Sequence, residues 1–386
     1  MNRFLRPEIE LLTYCVRNNI SPIATDHIRV LLKKDLDWNY LLKKSLRHGV
    51  MPLLYKTLNA NFQQVVPDHF LNKLKACFYA NVKRNILLTE ELLEIIDNFE
   101  SHGISAISFK GPAIAAHLYG NIALRQFDDL DILVHKRDAK RAKELLISKG
   151  YQPMYKLDEK EETAYIESKF EYFLSNIDNS TYLGIHWQIV PKYFSIPIDA
   201  ERFWPRLEMQ SLFGREIQTI SPEDLLFVLC LHGTRHLWQR LAWICDIAQL
   251  IEVHRNLSWD WIIKQASILS SERILNLGLY LAKDILDTEL PEEISKKVLK
   301  DTVVKSLALR VKNWLFQDNN GGPKSLEYPL FHLRVRERVR DRVQYCTRLI
   351  TTPNVKDWAF FRLSKNFFPL YYLLRPLRLA KDYLRL

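Results

Sequence analysis

The chain has 386 residues, 47% of them hydrophobic, with only 11 glycines and 16 prolines, which excludes a disordered or low-complexity protein and predicts two or three packed lobes. Its formal charge of +10 is concentrated: residues 331–386 hold thirteen Lys/Arg against four Asp/Glu, leaving the rest of the chain nearly neutral. The basicity belongs to a tail, so net charge alone does not make the chain a nucleic-acid binder. Five scattered cysteines with no C-x-x-C pair, charges in the opening MNRFLRPEIELL, and no apolar run near the roughly 20 residues of a spanning helix together predict a cytoplasmic protein.

Residues 1–100 read as a helical region. Pro7-Glu8 opens a helix with acid in its first turn, Trp38, Leu41, Leu42 and Leu46 recur at helical spacing, and Pro67 opens a long pattern through Phe70, Leu74, Phe78, Val82 and Ile86. The texture changes at Gly103. A β-rich run, Ile104–Phe109, leads into the turn Lys110-Gly111-Pro112, a short helix Ala113–Tyr119 closed by Gly120, a loop with Arg125, a strand Leu130–Val134 and a charged helix Asp138–Lys149. Phe170–Leu174 and Leu183–Val190 read as further strands, so residues 101–220 have an α+β order.

Residues 221–330 are helical again, opened by Ser221-Pro222-Glu223-Asp224, and Asn319-Asn320-Gly321-Gly322-Pro323 is the strongest loop signal in the chain. The tail, 331–386, alternates arginines from Arg334 to Arg342 and mixes aromatics with basic residues near its end. It suits an acidic membrane surface, a nucleic acid, or simple packing against the N-terminal helices.

Chemistry concentrates between Phe109 and Val134. Side chains two apart on a strand share a face, so Asp129 and Asp131 converge on one point, a geometry that suits a divalent cation. A lone Asp-x-Asp is more often a solvated strand end; the Lys110-Gly111 turn upstream shifts the balance toward a metal site. Arg125 either clamps phosphate or pairs with Asp128. His232 and His236 lie four apart on one helical turn, a zinc-compatible spacing, but HGTRH lacks the Glu of a metalloprotease and has no evident third ligand, which favours packed or hydrogen-bonded histidines. Trp238, Trp243, Trp259 and Trp261 read as core and interface residues.

Taken together, Lys110-Gly111, Leu118-Tyr119-Gly120, Arg125, Asp129-x-Asp131, Gly150-Tyr151, His186-Trp187 and the helix LLFVLCLHGTRHLWQRLAWICDIAQL resemble the uncharacterised bacterial nucleotidyltransferase family of the DNA polymerase β-like superfamily. His48-Gly49-Val50 upstream and Leu374-Arg375-Pro376 downstream extend the resemblance to most of the chain. It implies a polymerase β-like nucleotidyltransferase core, a small mixed sheet with helices, flanked by helical regions. It also implies Mg²⁺ (or Mn²⁺) on Asp129 and Asp131, an NTP substrate with ATP foremost, phosphate handling by Lys110 and Gly111, and an unidentified acceptor.

Helix residues His232, Arg235 and His236 are then expected to face the cleft. The pattern departs from the superfamily's at one place. A third carboxylate is expected two residues before His186, where this chain has Gly184; His186 itself, Glu171 and Asp128 are the candidates to replace it, and a non-catalytic nucleotide- or partner-binding protein on the same fold is the alternative.

Overall fold

The computed structural model describes residues 6–17, 20–177, 181–317, 323–361 and 370–384. Four helices, α1 (Pro7–Cys15), α2 (Pro22–Leu32), α3 (Trp38–Arg47) and α4 (Met51–Asn61), precede the 34-residue α5 (Asp68–Ser101), about 50 Å long at 1.5 Å per residue. There follow β1 (Ala106–Ser108), α6 (Pro112–Tyr119), β2 (Asp129–Val134), α7 (Ala139–Ser148), β3 (Gln152–Pro153), α8 (Glu159–Ser168), β4 (Glu171–Asn176) and β5 (Thr181–His186). The hairpin β6 (Leu207–Leu212) and β7 (Arg215–Ile220) leads to α9 (Pro222–Arg235) and α10 (Leu241–Val253). Eight more helices complete the chain: α11 (Trp259–Ile268), α12 (Glu272–Leu286), α13 (Glu292–Lys300), α14 (Thr302–Phe316), α15 (Glu327–Val335), α16 (Val339–Thr351), α17 (Val355–Phe361) and α18 (Leu370–Leu384).

The α+β class expected from the sequence is what forms. The main sheet is mixed, in the order β1-β2-β5-β4-β3, with β2 and β5 parallel and the other neighbours antiparallel. Alternation along β2 sends Leu130, Ile132 and Val134 into a core made with Leu88–Phe99 of α5 and with α7 and α8, while Leu133 joins the larger helical core. Helix α5 enters both cores, Phe70 and Leu74 in one and Leu92 and Phe99 in the other, and so holds the sheet to the helices.

Several elements differ from expectation. The strand read as Leu183–Val190 ends at His186, and helix α8 and the β6–β7 hairpin had no counterpart in the sequence reading. The loop signal at 319–322 lies outside the described residues. The described part of the tail divides between the two cores, each of which also contains residues of the N-terminal helices. Phe331 and Val335 of α15 join the helical core, while Trp358 and Tyr371 enter the sheet core. Its arginines are also not all surface: Arg336 of the alternating run, and Arg375 and Arg378 further on, are buried, the last two on the buried carboxylate of Asp357. Arg334, Arg338 and Arg340 stay exposed. Among the described residues no helix is long and apolar enough to cross a membrane.

Candidate active site

Between the sheet and α9–α10 lies a cleft of about 470 Å³ lined by Lys110, Gly111, Arg125, Asp129, Asp131, Glu171, Phe173, His232, Arg235, His236, Gln239, Arg240 and Trp243, among others. Eight of the nine residues expected at a site from sequence therefore meet here, and the ninth, His186, lies beneath the floor.

The floor is built by strand register. Asp131 on β2 stands beside Gly184 on β5, and Glu171 on β4 stands beside His186 on β5. The His186 ring folds back along its own strand over Gly184, placing Nε2 2.5 Å from Asp131 Oδ1 and 3.2 Å from Glu171 Oε2. A Cβ on residue 184 would come within 2.8 Å of that nitrogen, so the missing carboxylate at 184 and the presence of His186 in the site are one structural fact. A carboxylate does reach this point from the next strand, that of Glu171 on β4. Asp131, Glu171 and His186 offer ligand atoms all within 4.8 Å of one another.

Asp128 is not the replacement. As Asp129's neighbour it points away, within 4.0 Å of Arg84 and Arg240.

Charge at the floor is uneven. Asp129 is partly open to solvent at the cleft mouth, yet crowding of its carboxyl by the walls and the charge of Asp131 push its pKa up to about 6. Asp131 is more deeply buried, and against that burial Lys110 and His186 hold its carboxyl far below the usual range. Lys110 Nζ lies 3.1 Å from Asp131 Oδ2. Gly111 has φ +56°, a conformation that favours glycine, and it turns the chain so that Pro112 begins α6 with no side-chain cap on its first N–H groups. Such a helix start is favourable for an anion.

The opposite wall hangs on an unusual turn. Leu237 and Trp238, between α9 and α10, both have φ +55°, at a cost of about 1–3 kcal/mol each. Both side chains are fully buried, which offsets that cost by a similar amount. The Trp238 ring lies where a Cβ on Gly233 would be, at 2.4 Å, so Gly233 of HGTRHLW is required by this packing. Upstream, the His48-Gly49-Val50 stretch finds its use here as well: His48 O accepts from Ala242 N (3.0 Å) in the first turn of α10, with Gly49 at φ +69° against Ala242.

Burial keeps both wall histidines neutral, lowering His232 well below its ordinary value and His236 to about 2. They pack against Trp243, and Arg235 Nη2 lies 2.7 Å from His236 Nε2. No third ligand joins them among the described residues.

Two sequence expectations need correction. Arg125 pairs with the buried Asp246 of α10, not with Asp128. Trp243 is a half-buried part of the cleft wall and not only a core residue, whereas Trp238 is fully core. Gln239 and Phe173 were missed, and no sequence pattern marks them. In His186-Trp187, His186 faces the site and Trp187 packs into the sheet core, with its Nε1 donating to Ile166 O (3.1 Å).

A family model described as an uncharacterised nucleotidyltransferase matches residues 34–287, which span the cleft. No curated protein matches the sequence. Among solved structures, the antibiotic-resistance factor ANT(2'')-Ia is similar at 14% identity over 48% of this chain and 96% of its own, with a TM-score of 0.33. The lincosamide antibiotic adenylyltransferase LnuA, bound to lincomycin, is similar at 19% identity over 42% of this chain and 96% of its own, with a TM-score of 0.28.

Proposed function

Since the chain belongs to the uncharacterised nucleotidyltransferase family, we propose that its cleft moves a nucleotide from a nucleoside triphosphate, ATP foremost, to an acceptor hydroxyl or phosphate, with release of pyrophosphate. The observation that carries this reading is the meeting of Asp131, Glu171 and His186 within 4.8 Å of one another, with Asp129, Lys110 and the Gly111 turn lining the same cleft. Carboxylates from two strands are the hard oxygen donors that Mg²⁺ or Mn²⁺ prefers, and burial together with the charge of Asp131 raises the pKa of Asp129, an effect a bound cation would offset. Asp129, Asp131 and Glu171 would hold the ion, with His186 flanking it. When bound, a divalent ion stabilises charge on the attacking and leaving oxygens.

In the transfer the acceptor oxygen, its proton passing to solvent when the acceptor is a hydroxyl, bonds to the α-phosphorus while the α–β bridging P–O bond breaks. Pyrophosphate leaves with that electron pair. The chain's own part is to position the reactants and balance their charge. Lys110, whose ammonium sits on Asp131, is within reach of a phosphate at the floor, and the open N–H groups at the start of α6 receive phosphate oxygens. His232, Arg235 and His236 face the nucleotide or the acceptor from the wall.

Calorimetric titration with ATP and Mg²⁺, comparing the wild type with Asp129→Asn/Asp131→Asn, tests the site. Metal-dependent binding lost in the double variant is expected; binding indifferent to metal and to both carboxylates removes the proposal. One observation favours a second reading, a protein that binds nucleotide without turnover: both oxygens of Asp131 already have partners, Lys110 and His186. Pyrophosphate release with a panel of sugar, peptide and RNA acceptors separates the two.

A further inference from the structure

Asp246 on α10 is completely buried, and its carboxylate is fully engaged. Arg125 Nε lies 3.0 Å from Oδ1 and Arg125 Nη2 lies 2.9 Å from Oδ2, while Tyr119 Oη donates to Oδ1 at 2.9 Å. The main chain under Arg125 is pinned from another direction. Two buried asparagines one turn apart on α5 hold the loop's carbonyls: Asn85 Nδ2 donates to Ile122 O (2.6 Å) and Arg125 O (2.8 Å), and Asn81 Nδ2 to Ala123 O (3.2 Å). Arg125 is thereby fixed at both its backbone and its guanidinium.

One edge of the guanidinium is left over. Nη1 has no protein partner among the described residues, and Arg125, nine-tenths buried, lines the cleft beside Asp129 and Gly111. A buried ion pair contributes little stability beyond what apolar side chains of the same volume would supply. What it supplies that they cannot is a cation of fixed orientation lining a cleft, with the N–H groups of Nη1 not bonded to Asp246. Guanidinium donors in that arrangement match phosphate oxygens.

We infer that Tyr119 and Asp246 are positioning residues for the nucleotide's phosphates, acting through Arg125. The inference rests on the triphosphate reading of the cleft. Tyr119 restrains the carboxylate, the carboxylate restrains two guanidinium nitrogens, and the third nitrogen meets a phosphate oxygen beside the α6 start. Because α6 and its loop carry Tyr119 and Arg125 while α10 carries Asp246, the same contact sets the spacing between floor and wall.

Two titrations on each full-length variant test this, one with ATP in Mg²⁺ and one with Mn²⁺ alone followed by electron paramagnetic resonance. Arg125→Gln and Asp246→Asn are expected to weaken ATP binding about 10- to 100-fold, the worth of a hydrogen bond to a charged group, with Mn²⁺ affinity unchanged. Arg125→Lys is not expected to rescue, since an ammonium cannot hold Asp246 in a fork and reach a phosphate together. Should Asp246→Asn fail to fold, Tyr119→Phe keeps the ion pair and is expected to cost about 2- to 10-fold in ATP affinity alone. ATP affinity equal to wild type in Arg125→Gln and Tyr119→Phe overturns the inference and leaves the cleft's assignment standing. So do ATP and Mn²⁺ affinities that fall in parallel, the mark of a purely structural pair. A wild type that binds no ATP overturns both.

Discussion

The floor and the wall of the cleft solve opposite electrostatic problems. On the floor, Asp131 and Glu171 stand within 4.8 Å of each other and of His186 beneath them, on strands of fixed register, and Lys110 sits on Asp131; burial and the charge of Asp131 raise Asp129, while against its burial Lys110 and His186 lower Asp131. On the wall, His232 and His236 are held neutral by burial, and Arg235 stacks on Phe170 with its centre 4.5 Å from the ring. The floor is organised to deal with concentrated charge, which is the requirement of phosphoryl chemistry; the wall is organised to hold a ligand by shape and a few directed donors. Floor substitutions should therefore act on metal binding and turnover, and wall substitutions on ligand affinity.

Replacing a floor carboxylate is the most severe way to break that division. Asp131→Asn should lower turnover by about a thousandfold or more, because it removes several kcal/mol of charge stabilisation, and Mn²⁺ binding should fall with it. Retained turnover would place the chemistry elsewhere. A gentler test of the floor is Gly184→Ala, which needs the space taken by His186 Nε2. Displacing that ring should reduce the unfolding free energy by about 1–3 kcal/mol in denaturant titration and lower turnover as well. Unchanged stability would mean that the ring moves without cost.

On the wall, Arg235→Gln should weaken ATP binding about tenfold while Mn²⁺ binding stays at the wild-type level, the loss being one charged contact. Equal losses of both ligands would merge wall and floor into one unit.

The smallest effect concerns the helical body behind the wall. Burial lowers His48 to about 4 and His332 to about 3, with Arg336 adding to the effect at His332. Their folded pKa values lie below the unfolded value near 6.5, so below about pH 6.5 the unfolded chain binds more protons and stability falls as pH falls toward the folded values. Each histidine should cost about 1 kcal/mol per pH unit in that window, and His332→Gln should flatten the pH dependence of the melting temperature. An unaltered slope would remove His332 from the effect.

The floor was partly legible in the sequence because its rule is local. Asp129 and Asp131 share a face through the period of two, and Lys110-Gly111 announces a turn before a helix. Glu171 was only one candidate among three, since its position beside the site depends on which residue of β5 it faces, and pairing register is not written in composition. Arg125 was misread for a similar reason. Its partner Asp246 lies 121 residues away, while Asp128 is adjacent and plausible.

The wall was less legible still. HGTRHLW looks like a histidine motif, but its spacing is set by Trp238 filling the volume over Gly233 and by two residues in left-handed conformation. The basic tail shows the same limit: alternation of arginines reads as a surface, yet Arg336 points inward to the carbonyls of His332 and Phe194.

The claim on which the rest depends is that Asp129, Asp131 and Glu171 form one metal-binding floor. A crystal structure with Mn²⁺ and a non-hydrolysable ATP analogue, read by anomalous scattering, tests it most directly. The expected result is a manganese peak bounded by those three carboxylates, with Lys110 moved from Asp131 to a phosphate. A nucleotide bound without manganese, with Lys110 and His186 still on the two oxygens of Asp131, would contradict it.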